Sequence, residues 1–247
     1  MSAIHSEYNY ALVAMSYVLS ALGSYTGLQL AMSIPSARTN VQRWFSLLGS
    51  GAALGGGAIW AMHFIAMIGC VMDMLVSYAP GLTLLSALLA IAACTLGLAI
   101  TSSGEFSFAR LTLGGVVMGT GVAMMHYMGM AAMLMEAHLA YDTTLVAASV
   151  TVAVVASIAA LWLAFNVRGW LQMFASALVM GVAVCGMHYT GMAATTFVHD
   201  SQRHADVASG MQGDSLGSTV FVVSLILLGA MFAIGTLRQR QRQQIEI

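Results

Sequence analysis

Met62-His63-Phe64-Ile65-Ala66-Met67 returns as Met125-His126-Tyr127-Met128-Gly129-Met130, and again as Met187-His188-Tyr189-Thr190-Gly191-Met192. The histidines stand 63 and 62 residues apart, and a glycine (Gly56, Gly119, Gly181) precedes each by seven. Such triple self-similarity at a fixed period marks a chain built from three copies of one structural unit.

Working outward, the sequence around each copy is apolar. Of 247 residues, 60% are hydrophobic and only 7% charged, with net charge −1. A soluble domain carries about 25% charged residues, so this chain cannot clothe a water-facing surface. A bilayer core of about 30 Å needs roughly 20 apolar helical residues. Seven stretches meet that length, at about 8–32, 44–67, 82–101, 111–133, 144–165, 171–197 and 218–237. The expected fold is therefore an all-α membrane protein with seven transmembrane helices. It is a single domain over 1–247, with repeats at about 8–70, 75–136 and 144–200, a last span at 218–237 and a tail at 238–247. Each repeat is a pair of spans with its histidine on the second, so spans two, four and six run parallel. The first ten residues carry Glu7 and no basic n-region, unlike a cleavable signal peptide.

Charge orients the bundle. Arg38, Arg43, Arg110, Arg168, Arg238, Arg240 and Arg242 fall on one side and only Arg203 on the other. By the positive-inside rule the arginine-rich side is cytoplasmic, which places the N-terminus outside and the C-terminus inside. Glu7, Asp73, Glu136, Asp142, Asp200, Asp206 and Asp214 collect on the outer side. Arg43 and Arg168 each precede their histidine by 20 residues, about 30 Å of helix, and Arg110 precedes His126 by 16, about 24 Å. All three histidines are expected at one level near the outer edge.

The chain contains no lysine, so no retinal-type Schiff base can form. The charge balance argues against nucleic-acid binding. Cys70, Cys94 and Cys185 show no CxxC spacing and no disulfide framework. Cys185, three residues before His188, is read as core packing because its counterparts are Trp60 and Ala123. No GxSxG, HExxH or phosphate loop is present, and no carboxylate lies centrally in a span, so no catalytic activity is expected.

What remains is the histidines. One intramembrane histidine often just bonds a neighbouring helix, but polar groups there are functional by default, and three at matched depth point to a metal. Met67, Met130 and Met192 follow at i+4 and share the histidine face. Imidazole with thioether suits copper, Cu(I) in particular, with zinc as the second option; methionines also fill gaps between helices. The repeat glycines are expected to let the helices approach closely. His138, His199 and His204, beside outer carboxylates, either line a metal route or are solvated, and the solvated reading is preferred; His5 carries no pattern.

Met187-His188-Tyr189-Thr190 spells the signature of the MHYT domain; Met125-His126-Tyr127-Met128 is a near match, and Met62-His63-Phe64-Ile65 keeps Met-His and an aromatic. Over residues 8–237 the chain resembles this family of bacterial integral-membrane sensory modules. The resemblance implies a copper site at the outer face that senses oxygen, carbon monoxide, nitric oxide or another redox signal. It also implies a bacterial inner-membrane location and a cytoplasmic signalling partner, such as a cyclic di-GMP enzyme. The sequence stops ten residues after Leu237 without an output domain, as expected of a stand-alone member or a sensory fragment. Span seven and its Arg-Gln tail are expected to carry motion to that partner. Two other readings are a metal or small-molecule transporter, whose sites usually lie nearer the midplane, and a haem protein, for which three parallel histidines are an odd number.

Overall fold

The computed structural model describes residues 6–167, 169–200 and 207–245 and is 77% helical. His5, Arg168, Arg203, His204 and Asp206 lie outside the described residues. Among the described residues, seven helices carry apolar stretches long enough to cross a membrane. They are α1 (Tyr10–Ala31), α2 (Asn40–Ile68), α3 (Pro80–Thr101), α4 (Phe108–Ala131), α5 (Thr143–Asn166), α6 (Trp170–Ala193) and α7 (Gly213–Ile245). The chain is a multi-pass membrane protein with the expected helix count. α7 begins earlier than expected and runs unbroken to Ile245, so most of the tail is helix.

α4 and α6 stop short of the expected ends because the chain there turns into strand. β1 (Ser6–Tyr8) pairs with β2 (Cys70–Met72), β3 (Ser77–Tyr78) with β4 (Met133–Leu134), and β5 (Ala137–Tyr141) with β6 (Thr195–His199), all antiparallel. A last strand, β7 (Met211–Gln212), joins the other edge of β3. Each of the first three pairs ties the start of a repeat to its own end. The same backbone bond recurs beside each pair: the amides of Asn9, Ala79 and Asp142 donate to the carbonyls of Gly69, Ala132 and Ala194, each at 2.8 Å. Those acceptors all lie six residues beyond their histidine, so three strand clamps close the bundle at the histidine end. The odd-numbered helices start directly from the clamps. Asn9 and Asp142 cap α1 and α5 by accepting first-turn amides, and Pro80 opens α3, where no amide partner is needed.

Helix α2 departs from the other two histidine helices. Its stretch Ala52–Trp60 is π-helical, a rare form that is frequent at functional sites. The local sequence, Ala-Ala-Leu-Gly-Gly-Gly-Ala-Ile-Trp, offers little side-chain packing to hold a regular α-turn. The extra residue per turn shifts the register. In α4, Gly119 is the residue whose missing Cβ admits the α5 backbone at Val154; in α2, Gly55 admits the Ala90 carbonyl of α3, whereas Gly56 meets only the side chains of Leu227 and Ile91. Gly181 of α6 faces Tyr17 of α1, with Tyr17 Cε2 3.1 Å from where a Cβ would stand. Close backbone approach at the repeat glycines therefore holds at Gly119, moves by one residue in α2, and is replaced by ring contact in α6.

α2 is also the central helix. Its most apolar stretch is 89% buried, against 50% for α4 and 33% for α6, because α7 packs mainly on α1 and α2, the helices of the first repeat. Leu227 and Leu228 of α7 sit over Gly56 and Gly57, and Met231 over Gly49.

Candidate metal centre

α2, α4 and α6 bring His63, His126 and His188 together in the interior, with exposures of 1%, 0% and 0%. The Nδ1 atom of His63 lies 3.1 Å from that of His188 and 3.2 Å from that of His126. The rings stand nearly perpendicular, with centroids 5.0, 5.1 and 5.2 Å apart. His63 is thus the hub. The expectation of one common depth holds, and among the described residues these three form the only such group of histidine, cysteine or carboxylate ligands.

Each imidazole turns Nδ1 inward and backs Nε2 into the protein. None of the three Nε2 atoms has a hydrogen-bond partner. Metal-bound histidines usually have that nitrogen held by a carboxylate, carbonyl or water. Here packing sets the ring instead. His63 Nε2 rests on Gly129 and His126 Nε2 on Gly191, each glycine one turn beyond the next histidine around the ring and each so close that a Cβ would overlap the imidazole. In the third position of this cycle the sequence has Ala66.

Aromatic rings hold the other edge. His63 meets Phe64, which meets Tyr78; His126 meets Tyr127, which meets Tyr141; His188 meets Tyr189, which meets Tyr8. The inner contacts span 4.8–4.9 Å and the outer ones 5.9, 5.6 and 5.7 Å between centroids, all edge-to-face, the geometry aromatic quadrupoles prefer. Tyr8, Tyr78 and Tyr141 belong to the strand clamps, and each touches the aromatic of the neighbouring repeat. Three spokes therefore link every histidine to the clamp of another repeat. Burial pushes the Tyr8 hydroxyl up to about 12 and raises those of Tyr78 and Tyr141, so the spokes end in neutral phenols at neutral pH. These tyrosines escape a motif search because they stand 15 residues after His63 and His126, and for His188 the partner is near the opposite end of the chain.

The donor set fits a metal ion. An ion bonded to three imidazole nitrogens at the usual 2.0–2.1 Å holds them about 3.3–3.6 Å apart, within a few tenths of an ångström of the observed contacts. The same contacts leave no space for a porphyrin between any two of these rings, which removes the haem reading. Met67, Met130 and Met192 are buried one turn nearer the clamps, at 0%, 0% and 5% exposure. Cys185 is half-buried, and all three cysteines are free thiols. His138 lies in β5, 4.0 Å from the Asp200 carboxylate with both about one-third exposed, and His199 is exposed in β6.

Residues 56–114 and 119–177 match the family described as MHYT, bacterial signalling protein N terminal repeat. The chain is 39% identical over 241 residues to the bifunctional diguanylate cyclase/cyclic di-GMP phosphodiesterase MucR of Pseudomonas aeruginosa, covering 95% of this chain and 35% of MucR. It is 31% identical over 247 residues to the cyclic di-GMP phosphodiesterase NbdA of the same species, covering 97% and 31%. With the signaling protein YkoW of Bacillus subtilis the identity is 31% over 231 residues, covering 90% and 28%. The chain thus spans about a third of the length of these relatives. No solved structure matches it.

Proposed function

Because the chain belongs to the MHYT family, we propose that it is the sensory module of a bacterial signalling system, lying in the inner membrane with its N-terminus outside. His63, His126 and His188 hold one copper ion, with Met67, Met130 and Met192 as a second tier of donors. A diatomic gas or redox change at that ion alters how the three repeats pack. The recipient is a cytoplasmic partner in cyclic di-GMP turnover, the activity named in two of the relatives.

The observation that carries this reading is the convergence of the His188 and His126 Nδ1 atoms on that of His63, at 3.1 and 3.2 Å, with the ligand atoms of all three within 4.8 Å of one another, while every Nε2 goes unpaired. Neutral imidazoles crowded this way cannot all satisfy one another. Each buried polar atom left without a partner costs about 1–3 kcal/mol. A cation at the shared face uses the lone pairs that no tautomer can. The group holds no carboxylate, so charge on the ion is not cancelled, which favours a singly charged soft ion over a doubly charged one in a dry interior. Bound there, cuprous copper supplies a coordination position for a diatomic ligand and a one-electron couple. The chain's own residues orient the imidazoles, exclude water and, through the spokes, tie each ring to the clamp of another repeat. α7 packs on α2 and continues as helix to Ile245, a direct route from the hub toward the cytoplasm.

The test is metal analysis of untagged protein purified in mild detergent, expected to give about one copper per chain. Replacing Met67, Met130 and Met192 with leucine keeps side-chain volume. It is expected to lower Cu(I) affinity about tenfold and to change Zn(II) affinity less. Equal loss for both ions, or none for either, removes the thioether role.

A further inference from the structure

The bundle contains a second site that the triad does not use. On the side of the histidines away from the strand clamps lies a cavity of about 30 Å³, bounded by α1, α2, α4, α5 and α6. Its roof is built from Ile59, Val122 and Val184, each four residues before its histidine. Four residues of helix, about 6 Å, separate Ile59, Val122 and Val184 from the triad, and Met187, which also lines the chamber, is next to His188.

The chamber's walls are alanine, valine, leucine, isoleucine and methionine, with two serines. One of these, Ser24, is fully buried, and its hydroxyl has no hydrogen-bond partner. Beyond the hydroxyls of Ser24 and Ser157 the lining offers no polar side chain to a water, which needs two to four polar partners; apolar cavities stay dry and take up xenon or other apolar guests. The volume is about two to three times the roughly 10–15 Å³ that seats one water, which suits a molecule of two heavy atoms. Ala156 of α5 and Ala183 and Val184 of α6 are only part-buried, so the chamber opens sideways between these helices onto the lipid-facing surface. Apolar gases concentrate in hydrocarbon, so that opening lies where their supply is greatest.

We propose that this chamber binds a diatomic gas of the class of oxygen, nitric oxide and carbon monoxide, taken from the lipid and delivered to the triad one turn away. The binding site stands on the cavity itself; its role in delivery rests on the metal reading given above. Small side chains at 156 and 183 keep the chamber open, and Ile59, Val122 and Val184, with Met187 beside His188, stand between it and the imidazoles.

Xenon is the probe for the site. Full-length protein in nanodiscs is expected to show one saturable xenon site by 129Xe resonance shift. Ala156→Phe, which fills the chamber from α5, should weaken it at least tenfold, and Ala183→Leu from the α6 wall should do the same if the first variant does not fold. His63→Ala should remove bound metal and leave xenon binding intact. No saturable site in the wild-type protein, or unchanged xenon binding in a folded, filled variant, overturns the proposal. Delivery is read separately: carbon monoxide should associate at least tenfold more slowly with Cu(I)-loaded Ala156→Phe than with the parent at equal copper content. An unchanged rate overturns delivery. If the protein holds no metal, the reading of the triad fails while the xenon result still decides the chamber.

Discussion

The histidine helix of the first repeat and those of the second and third carry the same motif in different surroundings. α4 and α6 are regular α-helices with one side toward the membrane, whereas α2 is π-helical through Ala52–Trp60 and almost wholly enclosed. α7 packs on α2 alone among the three, and His63 is the imidazole whose Nδ1 makes short contacts, 3.1 and 3.2 Å, with both others. Where α4 and α6 place Tyr127 and Tyr189, α2 has Phe64; where they place Gly129 and Gly191, it has Ala66. A threefold motif has thus been built into a site with one central and two flanking members. Phe64 in place of a tyrosine fits this enclosure, where a hydroxyl costs more to bury without a partner; enclosure does not account for Ala66.

The sharpest way to break this comparison is to remove the histidines one at a time. Changing an outer-shell partner of a metal site costs 10–100-fold in affinity, so loss of a ligand is expected to cost about 100-fold or more. Each alanine variant should lose most bound metal, and His63→Ala should lose the most, because it removes the atom shared by both close contacts. Copper content and competition with a chromophoric Cu(I) chelator measure this. Equal retention of metal by His63→Ala and the parent removes the triad; equal loss in all three variants removes the hub.

A smaller effect tests the glycine contacts. Gly129→Ala drives a methyl group into His63 and Gly191→Ala into His126, so each ring must rotate or its helix retreat. Because these glycines stand in for the usual outer-shell hydrogen bond, about a tenfold loss of metal affinity is expected, at the low end of outer-shell effects. Ala66→Gly should change affinity less than twofold. Gly129→Ala and Ala66→Gly variants with matching affinities would show that packing against Nε2 does not orient the rings.

Much of this architecture was legible in the sequence. Hydropathy placed seven spans, and the spacing of His63, His126 and His188 placed three imidazoles at one depth, where the structure brings their nitrogens into contact. The strand clamps were not legible, since segments such as Ser77–Tyr78 are too short for any alternation of apolar and polar residues. Nor was the π-helical stretch: Gly55-Gly56-Gly57 reads as flexibility, and which glycine meets a neighbouring backbone depends on packing with α3 and α7. Cys185 is half-buried and not core, a difference that hydrophobic periodicity misses because it does not distinguish a protein-facing from a lipid-facing wall. The spokes were hidden for a third reason. Tyr8, Tyr78 and Tyr141 lie in the short clamp strands outside the motif, and their relation to the histidines closes only when the third repeat meets the first.

The smallest expected effect separates the enclosed spoke from an open one. The Tyr127 hydroxyl lies 2.7 Å from Ser149 Oγ, whose own proton goes to the Val146 carbonyl at 2.8 Å, so Tyr127 is the donor. Tyr127→Phe removes that bond and leaves the edge-to-face contact with Tyr141 in place, at a cost of about 0.5–1.5 kcal/mol. The reverse change, Phe64→Tyr, brings a hydroxyl to a ring that is 0% exposed and packed between Trp60, His63 and Tyr78. It must both find space and bury a polar group, so about 1–3 kcal/mol of destabilisation is expected. Making the first repeat more like its neighbours should therefore cost more than making the second more like the first. Thermal unfolding of the two variants in one detergent measures the difference. A Phe64→Tyr protein as stable as Tyr127→Phe would mean that α2 tolerates a phenol as readily as α4, and that the central helix is less enclosed than its packing implies.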